Sequence, residues 1–197
     1  MHPITNLQQL NLNGTYTYAD YLLWKLQERV ELLKGKIFKM SPAPALAHQR
    51  VSMHLSGELY SYFKNKKCQV FAAPFDVRIP AQNEQGDAIH TVVQPDLCII
   101  CDPEKIDERG CLGAPDLIIE ILSPGNSRKE MKNKYEIYEA SGVLEYWVVV
   151  PSEKVIHIYV LKDGKYIGLA PVVEGEYIHS EKFPELKVNT ADIFSEP

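Results

Sequence analysis

Two acids stand inside otherwise apolar runs, and burying a carboxylate without a partner is costly enough that such positions invite a cation. Asp96 follows Pro95 in Val92-Val93-Gln94-Pro95-Asp96-Leu97, and Glu120 sits within Leu117-Ile118-Ile119-Glu120-Ile121-Leu122. If the two strands are neighbours, both carboxylates can converge on a hard divalent ion such as magnesium, which takes oxygen ligands and keeps several waters. Such an ion polarises a phosphodiester and acidifies water, which is what hydrolysis of a nucleic-acid backbone requires. The same two acids could instead pair with Lys or Arg. Asp116, four residues before Glu120, shares its strand face and could join it, or could simply begin the strand after Pro115.

A cation is available nearby. Lys134 follows Glu130 by four residues, the favourable order for a helical ion pair. Alternatively its ammonium projects towards Asp96 and Glu120, where it would orient an attacking water or stabilise charge building on phosphate. Arg128, Lys129 and Lys132 make this segment the densest basic run of the chain, which suits either a solvated helix face or contacts to DNA. His48, near the start of a long helix, is a surface residue or a proton-transfer group, and Glu31 alone is undecided. Cys98-x-x-Cys101 has zinc-like spacing, but strand residues three apart point to opposite faces, so Cys68, Cys98, Cys101 and Cys111 are expected to be reduced, buried thiols. The chain carries no Gly-rich phosphate loop, nucleophile elbow or His-Glu-x-x-His motif.

The elements that must position these residues follow from periodicity. Residues 1–14 carry no strong period and read as an arm. Thr17 caps a helix over 18–27, a hairpin turns at Lys34-Gly35, and after Pro42 and Pro44 a long helix spans 46–66 with Val51, Leu55, Leu59 and Phe63 on one face. Strands are expected over 68–79, 92–101 and 116–122, the last apolar on both faces and therefore central, with a loop over 102–115. Ser123-Pro124-Gly125-Asn126-Ser127 breaks that strand, Ser127 caps a helix that Gly142 ends, and a strand over 144–150 leads into an antiparallel meander turning at Asp163-Gly164. The order predicts one α/β (α+β) domain over 15–197, a mixed sheet flanked by helices.

Composition bounds the rest. With 197 residues, 45% hydrophobic and 24% charged, the chain is neither collagen-like nor disordered. Its net charge of −5 gives no whole-surface attraction to phosphate backbones or anionic membranes, so a nucleic-acid site must be local. No apolar run approaches a membrane span and the N-terminus lacks the pattern of a signal peptide, which predicts a cytoplasmic protein without a membrane partner.

Several of these residues together carry a resemblance. Gln94-Pro95-Asp96-Leu97, then Pro115-Asp116-Leu117-Ile118-Ile119-Glu120-Ile121-Leu122-Ser123-Pro124, then Lys134-x-x-x-Tyr138-x-x-x-Gly142-Val143-x-Glu145-Tyr146-Trp147 resembles the Uma-two family of restriction endonucleases. Glu31-x-x-x-Gly35 and Met40-Ser41-Pro42 to His48 extend the match. The family is placed in the PD-(D/E)XK nuclease superfamily. That implies a restriction-endonuclease-like core and magnesium-dependent hydrolysis of nucleic acid, DNA in the first instance, with manganese as a substitute, no organic cofactor and a homodimer. It assigns metal binding to Asp96 and Glu120 and a catalytic role to Lys134 and Glu31 beside them; His48 matches a recurrent family His, and Arg128 and Lys132 of the basic run together with His48 are read as weaker nucleic-acid contacts. The departure is Leu122, where the superfamily at large has Lys; Lys134 matches the family's alternative position on the following helix. An inactive nucleic-acid-binding module on the same fold is the rival expectation.

Overall fold

The computed structural model describes residues 3–40, 45–124 and 127–195, so Pro42, Pro44, Gly125 and Asn126 of the two expected breaks lie outside the described residues. The first helix, α1 (Tyr18–Tyr21), is capped by Thr17 as expected but is far shorter than 18–27. Trp24 leaves the helical path to bridge Ile4 and to pack against Tyr16 and Tyr21, a tertiary gain that local propensity does not register. The hairpin of β1 (Val30–Leu33) and β2 (Lys36–Lys39) turns through Lys34 and Gly35, both at positive φ, the geometry of a two-residue hairpin loop. Helix α2 (Leu46–Phe63) buries Val51, Leu55, Leu59 and Phe63 as its spacing predicts.

Two expected strands are each broken by a proline, and this creates two sheets. The segment 68–79 becomes β3 (Gln69–Ala72) and β4 (Val77–Arg78) around Pro74, and 92–101 becomes β5 (Val92–Val93) and β6 (Leu97–Ile100) around Pro95. A proline donates no hydrogen bond to a ladder, so at each one the chain leaves one sheet for the other. The expected loop over 102–115 contains a small hairpin, β7 (Ile106–Asp107) and β8 (Gly110–Leu112). The first sheet runs β2-β1-β5-β4-β8-β7.

The second sheet forms the core. Strand β9 (Leu117–Ile121) is fully buried and lies between antiparallel β6 and parallel β10 (Glu145–Val150), so Glu120 stands on the strand next to the one that Asp96 leads into, which meets the condition the sequence reading set. Strands β11 (Val155–Lys162) and β12 (Lys165–Gly168) continue it as the predicted meander, with β13 (Val172–Val173) on β11. Leu97, Ile99, Leu117 and Ile119 face α2, while Cys98, Ile100 and Ile118 face α3 (Arg128–Ser141) on the other side. Ser127 caps α3 by accepting from the Glu130 N–H at 3.1 Å, and Gly142 ends it at φ 87°. This is the mixed α/β (α+β) architecture expected, and among the described residues no helix is long and apolar enough to cross a membrane.

The cysteine expectation needs one correction. Cys68 and Cys101 are joined by a disulfide, because the β3–β6 register that sets Gln69 opposite Ile100 brings them face to face at the end of the ladder. Cys98 and Cys111 are free and buried, and Cys98 lies on the opposite face from Cys101, which excludes a shared ion at the Cys-x-x-Cys spacing.

A C-terminal layer not foreseen in the sequence, β14 (Tyr177–His179), β15 (Lys187–Asn189) and α4 (Thr190–Ile193), closes the α2 side through Ile178, Val188 and Ile193. Glu145 ties it down. Fully buried on β10, it accepts from Trp147 Nε1 at 2.6 Å, Ser180 Oγ at 3.0 Å and the Lys182 N–H at 2.9 Å. Glu145→Ala leaves three donors without their acceptor and is expected to cost about 3 kcal/mol in urea unfolding; a loss under about 1 kcal/mol would mean water replaces the carboxylate.

Candidate active site

The site begins with three acids held by different parts of the chain. Glu31 sits in the fully buried strand β1, only 1% exposed, and its Oε1 accepts from the Gln94 N–H at 2.7 Å. Glu120 faces α3 from the C-terminal end of β9 and is 8% exposed. Asp96 lies where the chain crosses between sheets after Pro95. Its Oδ2 accepts from the Ile121 N–H at 2.7 Å, beside the peptide that follows Glu120, and its Oδ1 lies 3.2 Å from His48 Nε2.

Helix α3 supplies the counter-charge. Lys134 is 5% exposed, and its Nζ lies 3.0 Å from Glu31 Oε2 and 3.0 Å from Glu120 Oε1, with Glu130 Oε1 at 4.0 Å one turn earlier. One turn later Tyr138 donates from its hydroxyl to Glu120 Oε1 at 2.7 Å. Positions 130, 134 and 138 therefore present an acid, a base and a phenol along a single helix face. The lysine expected to reach Glu120 does so, but the acid it shares with it is Glu31. Leu122, in the superfamily's usual lysine position, is half-buried against the α3-side core.

Burial is the largest influence on Glu120 and pushes its carboxyl up to about 7; Lys134 opposes the shift, while the charges of Glu31 and Asp96 add to it. For Lys134 burial acts the other way, but Glu120 and Glu31 outweigh it and hold the ammonium above its ordinary range. Burial, reinforced by Glu120, raises the Tyr138 phenol as well, so it remains a neutral donor.

Around this cluster runs a second set of contacts. Gln94, whose N–H holds Glu31, accepts from Arg29 through Oε1 at 2.7 Å and donates through Nε2 to Asp76 at 2.7 Å and to the Tyr21 hydroxyl at 3.2 Å. Sequence reasoning missed Gln94, Asp76 and Tyr138 as parts of the site. Gln94 and Tyr138 stand inside the quoted motifs, whereas nothing in the sequence around Asp76 marks it. His48 is buried, and its Nδ1 has no hydrogen-bond partner among the described residues. Arg128 and Lys132 are exposed on α3, Lys132 3.9 Å from Glu136, outside the buried cluster.

Glu31, Glu120 and Glu130 share one buried ammonium, so carboxylates outnumber cations in the cluster, and oxygen donors suit a hard divalent ion. Among the described residues no group of three or more His, Cys, Asp or Glu side chains is arranged to hold a metal by itself. Asp96, held on the peptide that follows Glu120, and Glu120 itself are the oxygen donors that could hold a divalent ion, with water completing its shell as is common for magnesium.

The chain is similar to known proteins in sequence and in fold. A family model described as "Uma2: Putative restriction endonuclease" matches residues 18–191. An uncharacterized protein from Synechocystis sp. is 25% identical over 138 residues, covering 69% of this chain and 68% of that protein. A crystal structure titled as a putative nuclease belonging to DUF820, from Anabaena variabilis, superposes with a TM-score of 0.69 at 22% identity, covering 91% of this chain and 97% of that one, which shows a shared fold.

Proposed function

The chain belongs to the Uma2 family, and from that premise we propose that it is a divalent-metal-dependent endonuclease hydrolysing phosphodiester bonds in DNA. The observation that carries this reading is the meeting of Glu31, Glu120 and Lys134 in one buried cluster, with the Asp96 carboxylate on the peptide next to Glu120. In this reading Asp96 and Glu120 hold magnesium, or manganese in its place. The ion supplies Lewis-acid polarisation of the phosphate when bound. The chain's own groups do the rest. Lys134, kept charged by its two carboxylates, presents fixed positive charge towards the negative charge that builds on the phosphate. Glu31 anchors that ammonium, and the Gln94 N–H anchors Glu31. His48 and the Ile121 N–H hold the Asp96 carboxylate at the mouth of β6. Arg128 and Lys132, exposed at the start of α3, offer charge to the substrate backbone, and two copies of the chain would serve the two strands of a duplex.

One observation favours a second reading, a nucleic-acid-binding module without catalysis: Lys134 already pairs with both buried glutamates. Conversion of supercoiled plasmid to nicked and linear forms in magnesium or manganese separates the two. Cleavage is expected from the native chain and is expected to vanish in EDTA, in Asp96→Ala and in Glu120→Ala. Cleavage that survives both substitutions sinks the assignment of these carboxylates, and salt-sensitive binding with no cleavage in either metal favours the module.

A further inference from the structure

Beside Glu120, on the same face of the second sheet, lies a cavity of about 320 Å³ that the cluster above does not use. The strand register places it. Glu120 pairs with Val148 on β10, and Val148 pairs with His157 on β11, so the three side chains form a row across the sheet. Adjacent strands are about 4.8 Å apart, which puts His157 about 10 Å from Glu120 across the backbone. Val148 and His157 line the cavity, and so does Leu122, two residues beyond Glu120 and just past the end of β9.

The walls are aromatic. Tyr146 and Tyr159 stack with ring centres 5.9 Å apart, and Tyr135 of α3 meets Tyr159 edge-on at 5.1 Å. All three line the cavity, Tyr135 and Tyr159 are half-buried, and the exposed Glu153 stands at the rim with His157. An apolar floor, flat π-faces and a hydrogen-bonding edge together match a nucleobase. Aromatic side chains stack any base, and a carboxylate can accept from an exocyclic amino group. The volume lies at the lower end of the small-ligand range, about 300–1,000 Å³, which suits a single base better than a larger group.

We propose that this cavity receives one unpaired base of the substrate strand, next to the phosphate attacked at Glu120. The inference rests on the nuclease reading for the position of that phosphate. A base can enter only after leaving a duplex stack, so the preferred substrate has an unpaired, mismatched or single-stranded nucleotide at that position.

The test is binding by the full chain in the Glu120→Gln background, using DNA that carries one fluorescent aminopurine. Quenching is expected on binding, with a mismatched aminopurine bound tighter than a fully paired one. Tyr159→Phe keeps a flat ring and is expected to bind within about twofold of the parent, whereas Tyr159→Leu keeps the apolar bulk without it and is expected to bind about tenfold more weakly. If Tyr159→Leu does not fold, Tyr135→Leu, at a half-buried helix position, carries the same expectation. Equal affinity and quenching in the Phe and Leu variants, or tighter binding of the fully paired duplex, overturns the inference. Plasmid cleavage by the native chain is read in parallel: cleavage that persists while the tyrosines prove irrelevant removes the base pocket and leaves the nuclease reading intact. Tyrosine-dependent quenching with no cleavage in magnesium or manganese removes the nuclease reading and retains the pocket.

Discussion

Lys134→Met is expected to cost about 3–5 kcal/mol of folding stability near pH 8, because it leaves two buried carboxylates without their shared cation. The loss is expected to shrink on acidification. In the native protein the Glu120 carboxyl is already raised to about 7 from an ordinary value of 4.5, so what it contributes to stability is fully present below the ordinary carboxylate range and fades as pH rises through about 7. Lys134 is the group that most opposes this rise. Without it the carboxyl moves up further, the charged form becomes costlier, and the penalty concentrates at high pH. Near pH 5 the Glu120 carboxyl takes up a proton and much of the loss is recovered. Urea unfolding at the two pH values measures this directly. A loss equal at both, or smaller than about 1 kcal/mol at the higher pH, would mean that water or a rearranged side chain neutralises Glu31 and Glu120.

Glu120→Gln is expected to lower DNA cleavage at least about a hundredfold while leaving the protein as stable as before, or more stable, near pH 8. Lys134 keeps Glu31 at 3.0 Å, and the amide oxygen can still accept from the Tyr138 hydroxyl. Only the charge that burial disfavours is gone. Asp96→Asn is expected to behave in the same way for activity, since its amide oxygen can keep the Ile121 N–H bond while losing the negative charge. Cleavage rates and urea midpoints on the same preparations separate the outcomes. A variant that keeps its cleavage rate would remove that carboxylate from catalysis. A large loss of stability on Glu120→Gln would mean the ionised carboxylate is a structural requirement, and that any activity loss is a consequence of unfolding.

The sequence placed much of this arrangement because apolar strands report their own exceptions. Asp96 and Glu120 stand out against largely apolar runs, and the strands β6 and β9 that carry those runs are neighbours, the condition for the two carboxylates to approach each other. Ser127 and Gly142 mark the ends of α3 by local chemistry alone, so the one-turn spacing of Glu130 and Lys134 was readable in advance, whereas Tyr138 reads along the chain as one of the helix's apolar positions. The strand breaks at Pro74 and Pro95 were less legible. Each proline stops a ladder, but periodicity continues across it in the same residue types, and only the packing of two sheets reveals that the chain changes layer there.

Other features have no local signature. The helix expected over 18–27 ends after one turn because Trp24 finds Ile4, a partner far away in sequence. Cys68 and Cys101 stand 33 residues apart and meet through the β3–β6 register, which spacing along the chain does not encode. Asp76 joins the site through the Gln94 side chain and the Tyr21 hydroxyl, neither of which is near it in the chain.

By itself the sequence determined the class of fold, the ends of the central helix and which carboxylates would be difficult to bury, because these depend on residues close together in the chain or on their periodicity. The tertiary structure alone decided which cation meets which acid. Lys134 and Glu130 are four residues apart, yet Lys134 lies closer to Glu31, contributed by a strand about a hundred residues earlier in the chain. A buried ammonium takes whatever carboxylates the packing of sheet against helix brings within reach, and that selection is made in space rather than along the chain.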